Sequence, residues 1–478
     1  MIHKNIHKIL YTFIFTFFWG SACTNNSTND NRPNIVLILI DDLGWNDIGF
    51  MGSKFYETPN IDKLASNGMT FTNAYVTAPN CAPSRASLLT GQYTPRHHIY
   101  TVGTSERGKS ELRKLIPPPN QTVLDTSKIT IAEILQDKGY STISIGKWHL
   151  GEDPDSGPEQ QGFDINIGGN KSGHPSTYFS PFQNDQLRNK KENEYLTDRL
   201  NDEAVNFIEG NKDNPFFLYL SHYAVHTPIQ AKKELIEKYD KKEKGEYHNN
   251  STYAAMIQSV DEGVGKIVNT LDRLNLINNT IIIFLSDNGG FGGITSMHPL
   301  RGSKGMLYEG GIKVPMIISW PGKITANSVS NENVISLDIF PTLTDIINSK
   351  NPKDQVIDGI SLTPILFEEK DIDREAIFWH FPAYLEGNYE GARDTFFRTR
   401  PCAALKVGDW KLIHFFENND YELYNLKDDV GESQNLYKKR NKKAAELMRL
   451  LKEWQISINA PIPTEINPDY SFENKNSL

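Results

Sequence analysis

Cysteine is scarce in this chain: Cys23, Cys81 and Cys402 are the only three among 478 residues. So few exclude a disulfide framework, and at this length the core is large enough not to need one. Positive charge is not in excess either. A formal net charge of −9 excludes broad electrostatic binding to nucleic acid or to an anionic membrane surface. An anionic substrate would therefore have to be drawn in by a local cationic pocket. Long apolar runs are missing as well, and the run 9–19 is too short to span a bilayer. The chain has no internal repeat and no long low-complexity segment. Hydrophobic residues at 38% and charged residues at 23% fit a globular enzyme.

The first segment reads as an export signal over residues 1–22. Lys4 and Lys8 precede the apolar run, and Gly20, Ser21 and Ala22 are small residues suited to cleavage. Cys23 would then become an acylated N-terminus on the polar tether 23–32, anchored to a membrane without spanning it. Gly20 stands where a lipobox carries leucine, so plain secretion is the alternative. The expected location is outside the cytoplasm, in the periplasm or on the outer membrane as a lipoprotein.

Four short runs are continuously apolar rather than alternating, and each ends in polar residues. Residues 34–40 lead into Asp41 and Asp42, and 141–145 lead through Gly146 into Lys147, Trp148 and His149. Residues 216–220 lead into Ser221 and His222 and on to His226, and 280–286 lead into Asp287 and Asn288. Continuous apolarity means strands buried on both faces, hence a parallel sheet covered by helices. Helical patterns over 129–138 (ending at Gly139), 196–209 and 253–274 fall between them. The fold class is α/β, a mostly parallel central sheet flanked by helices. Ligands of such sheets bind beyond the carboxyl ends of the strands, so the four segments are expected to converge. Beyond about residue 370 the pattern changes to short strands at 376–380, 403–407, 411–416 and 422–424. A Gly408-Asp409 turn and a final helix at 438–454 complete it. The expected organisation is a catalytic domain over 33–370, a C-terminal subdomain with an antiparallel sheet and a helix over 371–466, and a poorly ordered tail at 467–478.

The segment from Cys81 through Pro83 and Arg85 to Gly91 reads as a helix with Pro83 in its first turn and Gly91 at its end. Cys81 would sit at the helix N-terminus, where free N–H groups favour anions. On the residues alone it is either a buried structural cysteine or an activated thiolate. Asp41, Asp42, Asp287 and Asn288 are oxygen donors at two strand ends, and suit a hard divalent cation.

Cys81-x-Pro83-x-Arg85, followed by Ala86, Ser87, Leu88, Leu89, Thr90 and Gly91, resembles the signature of the type I sulfatases, members of the alkaline-phosphatase-like superfamily. Further family-like blocks occur in order across about 33–455: 34–44, 146–151, 286–290, 301–305, 309–315 and 408–412. The resemblance implies that Cys81 is oxidised to formylglycine (3-oxoalanine) by a separate maturation enzyme. It also implies one calcium ion on Asp41, Asp42, Asp287, Asn288 and position 81, with magnesium as the alternative. The roles it implies are Arg85 holding the hydrated aldehyde, and Lys147 and Lys304 binding sulfate oxygens. His226, with Lys304, would protonate the leaving alcohol, and His149 would take a proton in the second step.

An exported enzyme meets polymers, so the expected substrate is a sulfated polysaccharide or oligosaccharide, with an algal-type glycan favoured. Arg96, His97, His98, Tyr100, His174, His298, His380, Arg398 and Arg400 are candidates for contacting it. Two rival readings are a phosphodiesterase or phosphonate hydrolase of the same superfamily, and a non-catalytic, lipid-tethered protein that binds sulfated glycans.

Overall fold

The structure, a computed structural model, describes residues 32–188 and 190–471. The expected export signal, Cys23 and the tether up to residue 31 lie outside the described residues. Eight strands form the principal sheet: β1 (Asn34–Ile40), β2 (Met69–Tyr75), β3 (Ser141–Gly146), β4 (Ile165–Ile167), β5 (Phe216–Ser221), β6 (Thr280–Ser286), β7 (Met316–Ser319) and β8 (Ser328–Ile335). Their spatial order is β4-β3-β5-β1-β6-β7-β2-β8. Only β7 runs antiparallel to its neighbours, so the sheet is mostly parallel, as its apolar runs predict. The four strands legible in the sequence, β3, β5, β1 and β6, lie side by side at the centre.

Every residue of β1 is buried, and the strand explains why. Val36, Ile38 and Ile40 face one core with Tyr253, Ile257 and Val260 of the Ser251–Arg273 helix. Ile35, Leu37 and Leu39 face the opposite core, with Leu88 and Leu89 of the Cys81–Thr90 helix. Each such side chain stabilises the fold by about 1.5–3 kcal/mol relative to exposure. The predicted helix at 129–138 forms over Ile131–Asp137. Thr130 caps it reciprocally with Glu133, and Gly139 follows at φ 77°.

The C-terminal part contains β9 (Ile377–Phe381), the short pair β10 (Leu385–Glu386) and β11 (Phe397–Thr399), then β12 (Cys402–Val407), β13 (Trp410–Phe415) and β14 (Asp420–Asn425). Strands β14-β13-β12-β9 form the antiparallel sheet. Gly408, at φ 55°, makes the tight β12–β13 turn. The Asn441–Ser457 helix covers one face through Ala444, Leu447 and Leu451. The other face packs Trp379, Phe381 and Ile413 against Met306, Ile312 and Val314 of the main body. Asn467, read from the sequence as the start of a loose tail, is in fact tied down: its side chain donates to Ser110 O at 2.9 Å and Arg113 O at 2.8 Å.

A buried ion cluster joins the small sheet to the body. The Lys411 ammonium is fully buried, 2.9 Å from Glu309 Oε1 and 2.9 Å from Glu432 Oε1. Lys411→Met is expected to destabilise the fold by about 3–5 kcal/mol, because it strands two buried carboxylates. A clear fall in the thermal midpoint checks this; an unchanged midpoint would show that the cluster does not hold the two parts together.

Candidate active site

Parallel pairing carries four chain segments off the same edge of the sheet. Ile40 pairs with Ser286, so Asp41 and Asp42 leave β1 beside Asp287 and Asn288 leaving β6. The Asp287 N–H donates to Ile40 O at 3.0 Å. Gly146 pairs with Ser221, and the Lys147 N–H donates to Ser221 O at 2.7 Å, which fixes Lys147 over β5. Asp42 (φ 60°) and His149 (φ 63°) adopt left-handed backbone, a cost of about 1–3 kcal/mol each. The surroundings hold both: the Asp42 N–H donates to Asp287 Oδ1 at 3.2 Å, and that of His149 to Asn170 O at 2.9 Å.

The Cys81–Thr90 helix, buried along its whole length, points its N-terminus at this edge, with Asn80 as N-cap and Gly91 (φ 66°) as C-cap. All ten residues singled out as catalytic or metal-binding lie at this one locus. Arg85 donates from Nε (2.9 Å) and Nη2 (2.7 Å) to Asp287 Oδ2, and from Nη1 to Lys147 O (3.1 Å) and Ser221 Oγ. Lys147 Nζ lies 2.6 Å from Asp41 Oδ2, and Lys304 Nζ 2.6 Å from Asp42 Oδ1. Asn288 Nδ2 donates to the same Asp42 Oδ1 at 2.8 Å, and His226 Nε2 is 3.6 Å from Asp42 Oδ2. Donor atoms of Asp41, Asp42, Cys81 and His226 all fall within 4.8 Å of one another. Three carboxylates thus face three permanent cations, and their formal charges cancel.

Burial sets the ionisation, and neighbours redirect it. Asp41 is raised to about 7 by burial, against the pull of Lys147, with Asp287 and Asp42 adding repulsion. Mutual repulsion of neighbouring acids acts in that direction. Asp42 departs from that: burial pushes it up, but Lys304, His226 and Lys147 outweigh it and hold the carboxyl well below its usual range. Burial alone would strip Lys304 of its proton, yet Asp42 and the other anionic groups hold it above the ordinary lysine value. Burial pushes the Cys81 thiol up to about 12, despite Lys147 and Lys304 nearby. Burial therefore favours the protonated thiol over the activated thiolate. His226 falls to about 3, and His149 well below its usual value, both chiefly by burial, so both rings are neutral here.

The donor set fits a hard divalent cation. Asp41 Oδ1 and Asn288 Oδ1 are buried acceptors without a hydrogen-bond partner, a state that costs about 1–3 kcal/mol per group unless something satisfies it. Oxygen ligands and an absence of thiolate cage favour calcium or magnesium over zinc. Asp287 is the ambiguous member: Arg85 and the Asp42 N–H already occupy its oxygens, and the tightest cluster of potential ligands includes His226 in its stead. Calcium at a hundredfold above Kd is expected to stabilise chelator-treated protein by about 2.7 kcal/mol. The readout is a thermal midpoint that rises with calcium and loses that response in Asp42→Ala.

Above these groups opens a cavity of about 190 Å³ whose lining includes Cys81, His149, His226 and Lys304. Of the nine outer candidates, His174 and Arg398 line it. His174 stacks on His226, ring centroids 6.1 Å apart. All but one of the others have structural duties. Arg96 pairs with Asp358 at 2.7 Å, buried His97 meets Ser87 Oγ at 3.0 Å, and His98 bonds Tyr100 at 3.1 Å. His380 is buried against Pro461 O, and Arg400 is locked to Glu417 and Asp394. His298 faces a different cavity. Arg107 and Phe291 also line the catalytic cavity. Neither carries a sequence signal of its own: Phe291 directly follows the 286–290 block, and Arg107 arrives from a loop remote from the strand ends.

Several known proteins are similar to this chain. The sulfatase family model matches residues 33–349, and a model described as N-sulphoglucosamine sulphohydrolase, C-terminal, matches 302–458. A sulfatase of Formosa agariphila is 33% identical over 96% of this chain and 95% of its own. The N-acetylgalactosamine-6-sulfatase of Mus musculus is 32% identical over 84% and 76%. Among solved structures, Ps i-CgsB in complex with k-i-k-neocarrahexaose superposes with a TM-score of 0.75 at 32% identity, covering 88% of this chain and 92% of that one.

Proposed function

The chain belongs to the sulfatase family and is a sulfuric ester hydrolase, and from that premise we propose that it desulfates sulfated glycans using Cys81 matured to formylglycine. One observation carries the proposal: a buried Cys81, its thiol pushed up by burial, stands at a helix tip with its sulfur within 4.8 Å of ligand atoms of Asp41, Asp42 and His226. A thiol in that state is a poor nucleophile, so its position makes sense as a precursor. The hydrated aldehyde at position 81 would supply the oxygen nucleophile, with a calcium ion on Asp41, Asp42, Asp287 and Asn288 offsetting negative charge.

The remaining chemistry belongs to the chain's own side chains. Lys147 and Lys304, each fixed by an aspartate, present cations to the sulfate oxygens in a dry site where such charges act strongly. Arg85 fixes Asp287 and steadies position 81 through the shared helix. The Nδ1–H of His226 donates to Thr227 O at 2.8 Å, which leaves Nε2 turned toward Asp42 and the cavity. That nitrogen must gain a proton before it can pass one to the leaving alcohol, and protonated Lys304 lies in the same lining. His149 is neutral, with an unpartnered Nδ1, and can accept a proton.

The neocarrahexaose bound to the similar Ps i-CgsB supports a glycan of algal type. An exported location, a lipid anchor at Cys23 and a formylglycine-generating partner complete the reading. Peptide mass spectrometry at position 81 combined with a desulfation screen on defined glycans tests it. The thiol is expected to be replaced by the aldehyde, and sulfate esters to be turned over in preference to matched phosphate and phosphonate esters. Full activity with an intact thiol, or a preference for phosphate, would sink the proposal.

A further inference from the structure

A second cavity, of about 400 Å³, is lined by the same 290–304 loop that contributes Phe291 and Lys304 to the catalytic one. The loop 290–304 separates them, and the Lys304 N–H donates to Gly290 O at 3.0 Å to close its base. Phe291 and Lys304 line the catalytic side, while their chain neighbours Gly292 and Ser303 line the other. Tyr389 packs against Phe291, ring centroids 5.4 Å apart, and Arg398 lies 4.3 Å over the Tyr389 ring, so the dividing wall is aromatic and cationic. The loop is anchored at its far end too, since Asn46 Nδ2, just beyond the β1 carboxylates, donates to His298 O at 2.8 Å.

Three features of this cavity point to a ligand. Tyr247 and His298 stack face to face, centroids 4.0 Å apart and planes 8° from parallel. Tyr247 is 41% exposed, so a large ring remains at the surface where burial would stabilise it. Ser303 is 3% exposed and its hydroxyl has no partner. The lining also carries an exposed carboxylate, Glu390, and a single permanent cation, Arg301. That cation is largely engaged: Nε donates to Gly391 O, Nη1 to Tyr424 OH and Glu432 O, and the guanidinium lies 3.9 Å over Tyr308. A flat aromatic platform and a carboxylate acceptor suit the apolar face and hydroxyls of a pyranose. Among the described residues of the lining, no permanent cation other than this largely engaged guanidinium stands ready for a sulfate group.

We propose that the Tyr247–His298 cavity binds an unsulfated sugar unit of the glycan whose sulfated unit occupies the catalytic cavity. This rests on the sulfatase reading above, and makes the preferred substrate an oligosaccharide or polymer rather than a sulfated monosaccharide. Glu390 would disfavour a sulfate at that neighbouring unit by like-charge repulsion.

The test uses the matured full-length enzyme and three kinds of substrate. These are 4-nitrophenyl sulfate, the carrageenan-derived oligosaccharide desulfated fastest, and a counterpart carrying an extra sulfate on the neighbouring sugar. In the double variant Tyr247→Ala/His298→Ala, KM for the oligosaccharide is expected to rise about tenfold, the loss of roughly 1.4 kcal/mol of stacking. Turnover of 4-nitrophenyl sulfate should be unchanged. Glu390→Gln is expected to narrow the gap between the two oligosaccharides. An unchanged oligosaccharide KM, or equal losses on both substrate types, overturns the subsite while leaving the sulfatase reading intact. Failure of the matured wild-type enzyme to hydrolyse any sulfate ester overturns both.

Discussion

Cys81→Ala is expected to lower kcat on any sulfate ester by at least about 10⁴-fold, since removing a nucleophile that works as one unit with its neighbours forfeits nearly all of the chemical step. The fold should survive. The side chain is 1% exposed and small, and losing one sulfur atom in a helix otherwise held by Leu88, Leu89 and the Arg85 network is expected to cost about 1 kcal/mol. Steady-state kinetics and a thermal melt on the same preparation separate the two effects. Cys81→Ser is the sharper companion. It restores a single hydroxyl but cannot give the second hydroxyl of a hydrated aldehyde, so at most about one equivalent of alcohol is expected as a burst, with the sulfate retained as an ester on the serine and no steady-state release. Sustained turnover by either variant would mean that position 81 is not the nucleophile.

His226→Ala is expected to lose about 10²–10⁴-fold in kcat on a sugar sulfate, the usual span for a positioned acid. On 4-nitrophenyl sulfate the loss should be no more than about tenfold, because that leaving group departs without a proton. The contrast follows from geometry: Nδ1 is tied to Thr227 O, Nε2 lies on the cavity side, 3.6 Å from Asp42 Oδ2, and His174 stacks behind it. Measuring both substrates matters, because Lys304 is the competing donor in the same lining. If Lys304→Ala shows the leaving-group dependence and His226→Ala loses equally on both substrates, the proton belongs to the lysine.

Local sequence pattern predicts structure where it coincides with tertiary role. Residues 34–40 and 280–286 were legible as strands to the residue, because a strand covered on both faces must be apolar throughout. β2 and β8 were not. Asn73 in the one, and Asn331, Glu332 and Asn333 in the other, carry no strand pattern, and pairing to one another at the margin of the sheet makes them strands. The same limit applied to the outer residues. Arg96, Arg400 and Arg398 look alike in sequence, yet two are committed to carboxylates and only the third lines the cavity.

Chain order and residue type were enough to decide that four buried strands each hand a polar cluster to the same edge, and that a cysteine leads a helix marked by Pro83, Arg85 and Gly91. Which acid stays charged, which histidine presents a free nitrogen, and which aromatic rings wall a cavity were left to the assembled fold. Those properties depend on through-space distance and on burial, and residues as far apart in the chain as Asp42 and Lys304 acquire a 2.6 Å contact only when the sheet has closed over its core.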